Sequence, residues 1–361
     1  MRIMIVTDAW FPQTNGVVRT LATTAEWLGR FGHDVRMLTP RDFRSIACPT
    51  YPEIRLSLLP RRLVERSIAE FSPEALHIAT EGPLGLAARR YCLRRRMRFT
   101  TSYHTQFPQY LRARFPIPIA FTYWALQRFH GAAARCMVST PSVRKELQGR
   151  GFGNLASWRR GVDTELFKPG PKEFLKLPRP IAVYVGRVAV EKNVEAFLRM
   201  PWKGSKLVIG DGPERARLQS LYPEATFTGF RFAADLAAHL AAADVMVFPS
   251  VTDTFGLVNL EAMACGVPVA AYPVNGPIDV VADGVTGALD ADLGKAALRA
   301  LTVDPAACRA NAVRCGWDAS SREFEGNLVD CRPDHSPTAA SWVLDADRND
   351  AVRAGPDLIR N

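Results

Sequence analysis

Short apolar segments alternate with amphipathic segments along most of the 361-residue chain. The amphipathic segments carry apolar residues at helical spacing, and the apolar ones have the length and composition of buried strands. The predicted strands and helices of the first half comprise residues 2–7, 16–31, 34–38, 75–79, 83–96, 98–103 and 134–139. Those of the second half comprise residues 181–186, 193–200, 206–211, 213–222, 226–229, 236–243, 245–250, 255–264 and 267–272. Strands that alternate with helices indicate an α/β protein with doubly wound parallel sheets.

The alternation stops once, across a segment rich in Pro, Gly and Lys at residues 161–180. Such a composition is typical of a linker. It divides the chain into two predicted Rossmann-like domains, residues 1–168 and 169–332, which face each other across a cleft. The polar and aperiodic residues 333–361 are predicted to form a poorly ordered tail.

Composition narrows the class of protein. Hydrophobic residues make up 47% of the chain and charged residues 23%, which is typical of a globular protein with a large core. No apolar run reaches the ~18 residues that a membrane-spanning helix requires. The seven cysteines form no Cys-x-x-Cys pair and have no histidine at metal-binding spacing, so they indicate reduced thiols in a cytoplasmic protein.

The net charge of +10 is unevenly distributed along the chain. Residues 1–168 hold 26 basic and 12 acidic residues, a balance of +14, whereas the remainder holds 20 and 24, a balance of −4. A basic first half favours a polyanion or an anionic membrane surface as its partner. The alternative is a codon preference for arginine, because 24 of those 26 basic residues are Arg. The basic segments contain no recognised nucleic-acid-binding motif, so no nucleic-acid partner is expected.

Ligands of open α/β sheets bind at the carboxyl ends of strands, where helix N-termini point towards them. Gly16 opens the helix after the first strand and lets the backbone approach an anion closely, although a simple helix start explains it equally well. Gly186 ends a later strand, Arg187 follows it, and Lys192 precedes the next helix. A guanidinium fork and an ammonium group beside a helix N-terminus favour a pyrophosphate site. The alternative is a solvated pair of cations balanced by Glu191.

Two acids surround the start of another predicted helix, within PSVTDTFGLVNLEAMA. Asp253 lies in the loop and Glu261 about two turns into the helix, so the two carboxylates are too far apart for a close acid/base dyad. They favour hydrogen bonds to separate hydroxyls of one extended ligand, such as a sugar and a ribose. The backbone N–H groups of Phe255, Gly256 and Leu257 would hold phosphates between them. As an isolated pair, the two acids would be a loop cap and a surface glutamate.

Four segments at these spacings carry a resemblance to a known family: RGVDTELFKP, GRVAVEKN, GDGPERARL and FPSVTDTFGLVNLEAMACGVPVAAYPVNGPIDVV. Together they resemble the retaining nucleotide-sugar glycosyltransferases of family 4. These enzymes have the GT-B fold, in which two Rossmann-like domains face a cleft. The resemblance covers roughly residues 1–330 and implies that the chain is a hexosyltransferase.

Matched residue by residue, the resemblance implies that Arg187 and Lys192 bind the donor pyrophosphate. It also implies that Glu261 binds the ribose hydroxyls, that Asp253 binds the transferred hexose and that Gly16 binds the distal phosphate. The family's usual residue at position 253 is Glu, and the shorter carboxylate leaves the preference for a donor sugar open.

A histidine in the segment SYHTQFPQY, His104, matches the family's histidine near the transferred sugar. Without the resemblance, a lone histidine after a strand would be a core or surface residue. The implied catalytic residues are His104, Arg187, Lys192 and Asp253. The implied nucleotide-sugar-binding residues are Gly16, Gly186, Arg187, Lys192, Asp253, Phe255, Gly256, Leu257 and Glu261.

The resemblance also implies a mechanism. In this family no enzymic nucleophile lies under the sugar, the acceptor attacks the face that the nucleotide leaves, and the departing phosphate oxygen takes the acceptor's proton. Catalysis would then come from stabilisation of the leaving group's charge by Arg187, Lys192 and helix N-termini. The two Asp-x-Asp sequences, residues 290–292 and 345–347, lie outside predicted cleft positions. We therefore expect no metal and no cofactor beyond the nucleotide-sugar co-substrate.

Two further segments, SYHTQFPQYLRARF and IATEGPLGLAARR, resemble the family members that glycosylate membrane lipids. These members are diacylglycerol glucosyl and glucuronosyl transferases, sulfoquinovosyl transferases and lipid mannosyltransferases. The implied donor is UDP-glucose or UDP-glucuronate, and the implied acceptor is a lipid hydroxyl such as that of diacylglycerol. One alternative is a mannosyltransferase that uses GDP-mannose and a lipid or soluble acceptor. Another is a GT-B-shaped epimerase of nucleotide sugars.

Arginines interleaved with apolar residues in RLSLLPRRLVERSIAEF and LAARRYCLRRRMRF suit a surface on an anionic leaflet, at ~1 kcal/mol per Arg. An ordinary solvated helix face is the alternative for either segment. The aromatic residues Phe115, Phe121, Tyr123 and Trp124 would line an entry for acyl chains or belong to the core. We therefore expect a peripheral enzyme on the cytoplasmic face of the cell membrane, docked through its N-terminal domain.

Overall fold

The computed structural model describes residues 1–13, 15–48, 51–106, 108 and 118–332, and describes residues 51–54 by their backbone alone. The predicted polar tail at 333–361 lies outside the described residues, as does Phe115.

The first domain is built on a six-stranded parallel sheet. Its strands are β1 (Arg2–Val6), β2 (Asp34–Leu38), β5 (Ala75–Ile78), β6 (Thr100–Tyr103), β7 (Arg135–Val138) and β8 (Leu155–Ser157). They lie in the order β2-β1-β5-β6-β7-β8. Its helices are α1 (Gly16–Arg30), α2 (Arg61–Phe71), α3 (Pro83–Arg95), α4 (Ile119–Gly131) and α5 (Pro141–Gly149). An antiparallel hairpin that the sequence pattern did not predict comprises β3 (Ser45–Cys48) and β4 (Tyr51–Ser57).

The second domain repeats this design with another six-stranded parallel sheet. Its strands are β9 (Ile181–Val185), β10 (Ser205–Ile209), β11 (Thr226–Gly229), β12 (Val245–Phe248), β13 (Val269–Ala271) and β14 (Gly287–Leu289). They lie in the order β11-β10-β9-β12-β13-β14. The helices that follow in the chain are α6 (Val194–Arg199), α7 (Arg215–Leu221), α8 (Ala233–Ala242), α9 (Leu257–Ala264), α10 (Pro277–Val280), α11 (Leu293–Ala300), α12 (Pro305–Val313) and α13 (Trp317–Asn327).

Both sheets are covered by helices on both faces, which confirms the predicted doubly wound α/β fold. In β1, Ile3 and Ile5 pack into one hydrophobic cluster while Met4 and Val6 pack into another. Parallel strands buried on both faces read as continuous apolar runs, which is why the sequence pattern identified them. In each sheet the strand order reverses beside the first strand of that domain, at β1/β5 and at β9/β12. Such a reversal opens a crevice at the carboxyl ends of the two strands.

The last helix, α13, returns to the first domain, although the sequence-based division placed residues 169–332 in the second. Phe324 of α13 is fully buried in the first domain's core, with its ring centroid 4.6 Å from that of Trp158. The hydroxyl of Ser320 donates to the carbonyl oxygen of Arg159 at 2.6 Å. A second segment of chain thus ties the two domains together, besides the predicted linker at 161–180.

Arg309 of α12 fixes the predicted linker to the second domain. Its guanidinium donates to the carbonyl oxygens of Thr164 and Phe167 at 2.9 and 2.6 Å, and to that of Ala264 at the end of α9 at 2.8 Å. Three carbonyl groups therefore share one planar, multivalent donor. The part of the linker nearest the cleft is consequently held against the helix that carries Glu261.

A histidine lies in the middle of the first sheet, among apolar and aromatic side chains. His77 of β5 is fully buried, and its Nδ1 and Nε2 lie 2.9 Å from Thr100 Oγ1 and 3.1 Å from Ser102 Oγ. Burial, with the positive charge of Arg160 nearby, lowers the pKa of His77 from its ordinary value to about 3. The ring is therefore neutral in the folded protein at all moderate pH values.

This histidine should make folding stability depend on pH. Its folded-state pKa lies below the unfolded value, so the unfolded chain binds the extra proton and stability falls as pH drops below ~6.5. Between pH 7 and pH 5 the wild type should lose about 2 kcal/mol of unfolding free energy more than His77→Asn does. Urea unfolding of both proteins at the two pH values measures the difference. Equal losses in both proteins would show that His77 is not the group responsible.

Candidate active site

A cleft of about 1100 Å³ lies between the two domains, at the carboxyl ends of β1, β9 and β12. It coincides with the crevice that the strand order opens in each sheet. The structure brings every residue predicted for the site to its wall: Gly16, His104, Gly186, Arg187, Lys192, Asp253, Phe255, Gly256, Leu257 and Glu261. What each of them binds stays a prediction.

Two helix N-termini face each other across this cleft. Helix α1 begins at Gly16, where a Cβ atom would stand 3.5 Å from Cδ1 of Leu257, the first residue of α9. Gly256, which precedes α9, has φ +77°, and a Cβ there would stand 2.8 Å from Cζ of Phe248. Glycine is therefore required at 256 both by the backbone conformation and by the close approach to β12. The positive ends of both helix dipoles point into the same space, which favours a bound anion.

A short turn after β9 carries the predicted cations. Gly186 lies close under Tyr184, whose hydroxyl donates to the carbonyl oxygen of Arg187 at 2.7 Å. A 3₁₀ turn from Val190 to Lys192 then leads into α6. The ammonium group of Lys192 lies 2.5 Å from Oδ1 of Asp253, on the loop after β12. Two residues that are 61 apart in sequence thus form an ion pair in the wall of the cleft.

Glu261 is buried in α9 and forms an ion pair across the cleft. Its Oε1 lies 2.6 Å from Nη1 of Arg19, in the second turn of α1, while the Arg19 side chain remains partly exposed. Burial raises the pKa of Glu261, and the charge of Arg19 opposes that shift. The helix begins at Leu257, so Glu261 stands about one turn into it and not two as predicted. Phe255 and Gly256 belong to the preceding loop because the glycine's left-handed backbone is incompatible with helix.

His104 lies directly after β6, in the part of the cleft formed by the first domain. One ring nitrogen, Nε2, lies 2.7 Å from Ser102 Oγ, and the other, Nδ1, accepts from Arg160 at 3.2 Å. Burial, and then the charge of Arg160, lower the pKa of His104 well below its ordinary value. The backbone carbonyl of His104 accepts from the hydroxyl of Thr254 at 2.7 Å, which is a contact between the two domains.

Further polar contacts join the domains beside the cleft. The carbonyl oxygen of Thr254 accepts from the hydroxyls of Ser139 and Thr140 at 3.2 and 3.3 Å. The backbone N–H of Ser142, in the first turn of α5, donates to Oδ1 of Asp279 at 3.2 Å. The contacts of Thr254 hold the loop that carries Asp253 against the first domain, and the contact of Ser142 does the same for α10.

Arg19, Arg160, Phe230 and Phe232 also line the cleft, and the sequence analysis assigned none of them to the site. Arg19 stands three residues after Gly16 in a predicted helix, and this spacing places both on one helix face, so a signal was present. Phe230 and Phe232 follow β11, and their rings stack with centroids 5.9 Å apart. The alternation of the two aromatics around an arginine was the signal for them. Arg160 stands within the RGVDTELFKP segment, where only the resemblance drew notice to it.

The described residues contain neither a candidate metal site nor a membrane-spanning helix. Across 1–332, apart from the gaps named above, no group of three or more His, Cys, Asp or Glu side chains could hold a metal ion. In the same part of the chain, no helix is both long enough and apolar enough to cross a membrane.

Two family models match the chain, one on each domain. Residues 14–166 match the model of Glycosyltransferase Family 4, and residues 179–302 match the model of group 1 glycosyl transferases. A GDP-mannose-dependent alpha-mannosyltransferase of Mycobacterium tuberculosis is 30% identical over 80% of this chain and 83% of its own length. The sulfoquinovosyl transferase SQD2 of Arabidopsis thaliana is 30% identical over 79% of this chain and 62% of its own length. An alpha-monoglucosyldiacylglycerol synthase of Streptococcus pneumoniae is 26% identical over 84% of this chain and 79% of its own length.

Solved structures share the fold. Sucrose-phosphate synthase from Thermosynechococcus elongatus is 23% identical and superimposes with a TM-score of 0.71, covering 90% of this chain and 97% of that one. HepE from Anabaena, solved with UDP and glucose, is 17% identical and superimposes with a TM-score of 0.67, covering 90% of this chain and 98% of that one. With both domains matched by family models and the GT-B architecture in place, the chain belongs to glycosyltransferase family 4 and is a glycosyltransferase.

Proposed function

We propose that this chain is a retaining glycosyltransferase that moves a hexose from UDP-glucose or UDP-glucuronate to a hydroxyl of a membrane lipid such as diacylglycerol. One observation carries the donor half of this proposal. The Lys192–Asp253 ion pair lies in the cleft beside Gly186, where the helix N-termini of α1 and α9 meet. A cation, a carboxylate and two positive helix ends in one crevice suit a ligand with a diphosphate next to hydroxyl groups.

In the proposed complex the donor diphosphate lies between Arg187, Lys192 and the start of α9, and Gly16 contacts the distal phosphate. Asp253 accepts hydrogen bonds from hydroxyls of the transferred hexose. The arriving phosphate takes Lys192 as its counter-ion, which releases Asp253 for the sugar. Exchange of one ion pair for another avoids leaving either charge unpaired in a partly buried site.

Glu261 would accept hydrogen bonds from the ribose hydroxyls of the nucleotide. Two ribose hydroxyls can satisfy both oxygens of a carboxylate, and they would replace Arg19 as its partner. The stacked Phe230 and Phe232 at the cleft offer an apolar surface to the nucleobase.

The proposed reaction breaks the bond between the hexose C1 and the phosphate oxygen, and forms a bond between C1 and the lipid oxygen on the same face of the sugar. The acceptor hydroxyl gives its proton to the departing phosphate oxygen. The protein's part is electrostatic, because Arg187, Lys192 and the helix N-termini stabilise the negative charge that grows on the leaving group. His104 would lie beside the transferred sugar.

The phosphate role of Lys192 can be tested by substitution. Lys192→Ala should lower transfer by ten- to a thousandfold, because a charge that acts on the leaving group is removed. Lys295→Ala, which changes an exposed lysine on α11, should keep wild-type turnover and serves as the control. If Lys192→Ala kept more than about a tenth of wild-type turnover, a loss below ~1.4 kcal/mol, its assignment to the pyrophosphate would be wrong.

The absence of a metal requirement is a second part of the proposal. Side-chain cations and helix N-termini take the place that a divalent ion has in other phosphoryl-group sites. Transfer activity should therefore be unchanged after incubation with EDTA. Complete loss in the chelator, with recovery on adding Mg²⁺ or Mn²⁺, would contradict this part.

The acceptor half of the proposal rests on the surface of the first domain. Helix α3 lies between α2 and α4: Arg94 pairs with Glu65 of α2, and Arg89 donates to the carbonyl oxygen of Arg128 of α4 at 2.8 Å. Exposed apolar side chains accompany these three helices: Leu58, Leu59, Leu63, Leu86, Phe121 and Trp124. Leu59 is 94% exposed, and the rings of Phe121 and Trp124 stack with centroids 5.6 Å apart.

Exposed apolar side chains on helices rich in arginine suit the interface of an anionic bilayer. There the arginines would contact lipid phosphates. The aromatic residues divide into two groups. Tyr123 is buried and its hydroxyl donates to Glu146 at 2.7 Å, so it belongs to the core, whereas Phe121 and Trp124 face outwards. The name of the pneumococcal relative gives diacylglycerol as the molecule carrying its sugar, which supports a lipid acceptor here.

Liposome flotation tests the membrane surface. The protein should float to the top of the gradient with vesicles that contain phosphatidylglycerol. With vesicles of phosphatidylcholine alone it should remain at the bottom, because the arginines require anionic lipid. The double variant Phe121→Ser/Trp124→Ser should bind at least several-fold more weakly. Leu298→Ser, at a residue 60% exposed on the second domain, should bind like the wild type. Equal binding to both vesicle types, with a water-soluble glycoside as the sole product, would refute the lipid acceptor.

A second candidate uses GDP-mannose as donor and is favoured by the identity to the mycobacterial mannosyltransferase. A screen of UDP-glucose, UDP-glucuronate and GDP-mannose against a lipid extract distinguishes the two. A glycolipid formed only with GDP-mannose would establish the second candidate. Turnover of a donor with no acceptor present, giving its epimer, would point instead to an epimerase.

A further inference from the structure

A buried arginine forms part of the cleft floor behind His104. Arg160 follows β8 and is 5% exposed, yet it lines the cleft. Its guanidinium carbon lies 4.1 Å from the ring centroid of Trp158. Nη1 donates to the carbonyl oxygen of Trp158 at 2.7 Å, and Nη2 donates to Nδ1 of His104 at 3.2 Å.

This guanidinium has no carboxylate partner within the described part of the chain. Glu323 is the carboxylate whose charge acts on it, and Glu323 accepts hydrogen bonds from the neighbouring Arg159. Burial lowers the pKa of Arg160 to about 9. A buried cation without an ion pair is costly, so its retention at this place calls for a role beyond packing.

Arg160 determines which ring nitrogen of His104 carries the proton. A guanidinium can only donate, so Nδ1 of His104 must offer its lone pair. In a neutral ring the proton then sits on Nε2, which donates to Ser102 Oγ at 2.7 Å. Ser102 Oγ in turn lies 3.1 Å from Nε2 of the buried His77. The chain of contacts from Arg160 through His104 and Ser102 to His77 fixes both the tautomer and the orientation of the His104 ring.

We propose that Arg160 is a positioning residue that holds His104 as a neutral ring, with its proton on Nε2 and its Nδ1 occupied. In the glycosyl transfer proposed above, on which this role rests, His104 therefore meets the sugar as a fixed polar surface. It neither takes the acceptor's proton nor supplies one to the leaving group. Both ring nitrogens are engaged by protein groups, so proton transfer falls to the departing phosphate.

The titratable and charged groups around His104 support this role. Arg160 approaches from the end of β8, His77 from β5, and His130 from α4, where Nε2 of His130 lies 3.0 Å from Oε1 of Glu81. From the second domain, Thr254 contacts the backbone of His104, and Asp253 of the same loop is paired with Lys192. Burial and then the charge of Arg160 lower the pKa of His104, and an added proton would place a second cation beside Arg160.

The first test is a direct titration of the wild-type protein. With ¹³C,¹⁵N-labelled histidine and His104→Asn to assign the signal, NMR reports the tautomer and the pKa of His104. The proposal requires a proton on Nε2, a bare Nδ1 and no titration between pH 7.5 and 5.5. A His104 that titrates near pH 6.5, or that carries its proton on Nδ1, would overturn it. This outcome does not depend on any substrate, so it is separate from failure of the proposed function.

The second test removes the positive charge of Arg160 while keeping a side chain of similar length. Arg160→Met should raise the pKa of His104 by about one unit or more, because the adjacent positive charge is lost. Arg160→Lys keeps the charge and should keep the pKa low. Arg159→Met, at the exposed neighbour, should change nothing. If Arg160→Met does not fold, as judged by its thermal transition, the wild-type titration together with Arg160→Lys decides the question.

The third measurement uses the donor and lipid identified by the screen above. In Arg160→Met, kcat/KM should acquire a new decline on the acid side that is absent from the wild type, as His104 becomes protonated. The decline should disappear when His104→Asn is added to Arg160→Met. A purely structural role for Arg160 would lower activity equally at every pH, and that result would overturn the proposal.

Discussion

The reversal of strand order in each sheet is the constraint on which the site depends. Where neighbouring crossovers run to opposite faces, no helix covers the carboxyl ends of the two central strands, and a crevice remains. The chain has one such crevice at β1/β5 and another at β9/β12, and the domains meet with the two facing each other. Helix N-termini from both domains then point into one space. Residues as distant in sequence as Gly16 and Leu257 lie so close for this reason that a Cβ atom on Gly16 would stand 3.5 Å from the Leu257 side chain.

Much of this arrangement could be predicted from the sequence, because the signals were local. Apolar runs buried on both faces identified the strands, Gly186 marked the end of one of them, and Gly16 marked a helix start that lets the backbone be approached closely. The partners of these residues could not be predicted in the same way. The pairing of Glu261 with Arg19 and of Lys192 with Asp253 joins separate elements, and neither follows from any periodicity. The packing of α13 on the first domain could not be predicted for the same reason, because an amphipathic helix does not specify which sheet it covers.

The structure also shows how a cleft with many charges remains stable before a ligand arrives. Lys192 is matched by Asp253, and Glu261 by Arg19, so these three groups proposed to bind the donor each have an ionic partner within the cleft. Leaving any of them buried and unpaired would cost several kcal/mol. At Lys192, Asp253 and Glu261, each proposed ligand contact therefore replaces an internal contact. The net gain on binding is the difference between two polar interactions, which favours a ligand that supplies its own charges and hydroxyls at the right spacing.

Of these pairs, Arg19–Glu261 differs in that it spans the two domains. Lys192 and Asp253 both belong to the second domain, so exchange of their partner leaves the domain arrangement unchanged. A ligand that takes Glu261 instead removes a direct ionic link between α1 and α9. Other links between the domains, from Thr254 to His104, Ser139 and Thr140 and from Ser142 to Asp279, do not involve Glu261. If the nucleotide binds as proposed, the ionic link between α1 and α9 is exchanged while the contacts of Thr254 with the first domain are kept. The ring of His104 takes no part in that exchange, because its two nitrogens contact Ser102 and Arg160 of the first domain.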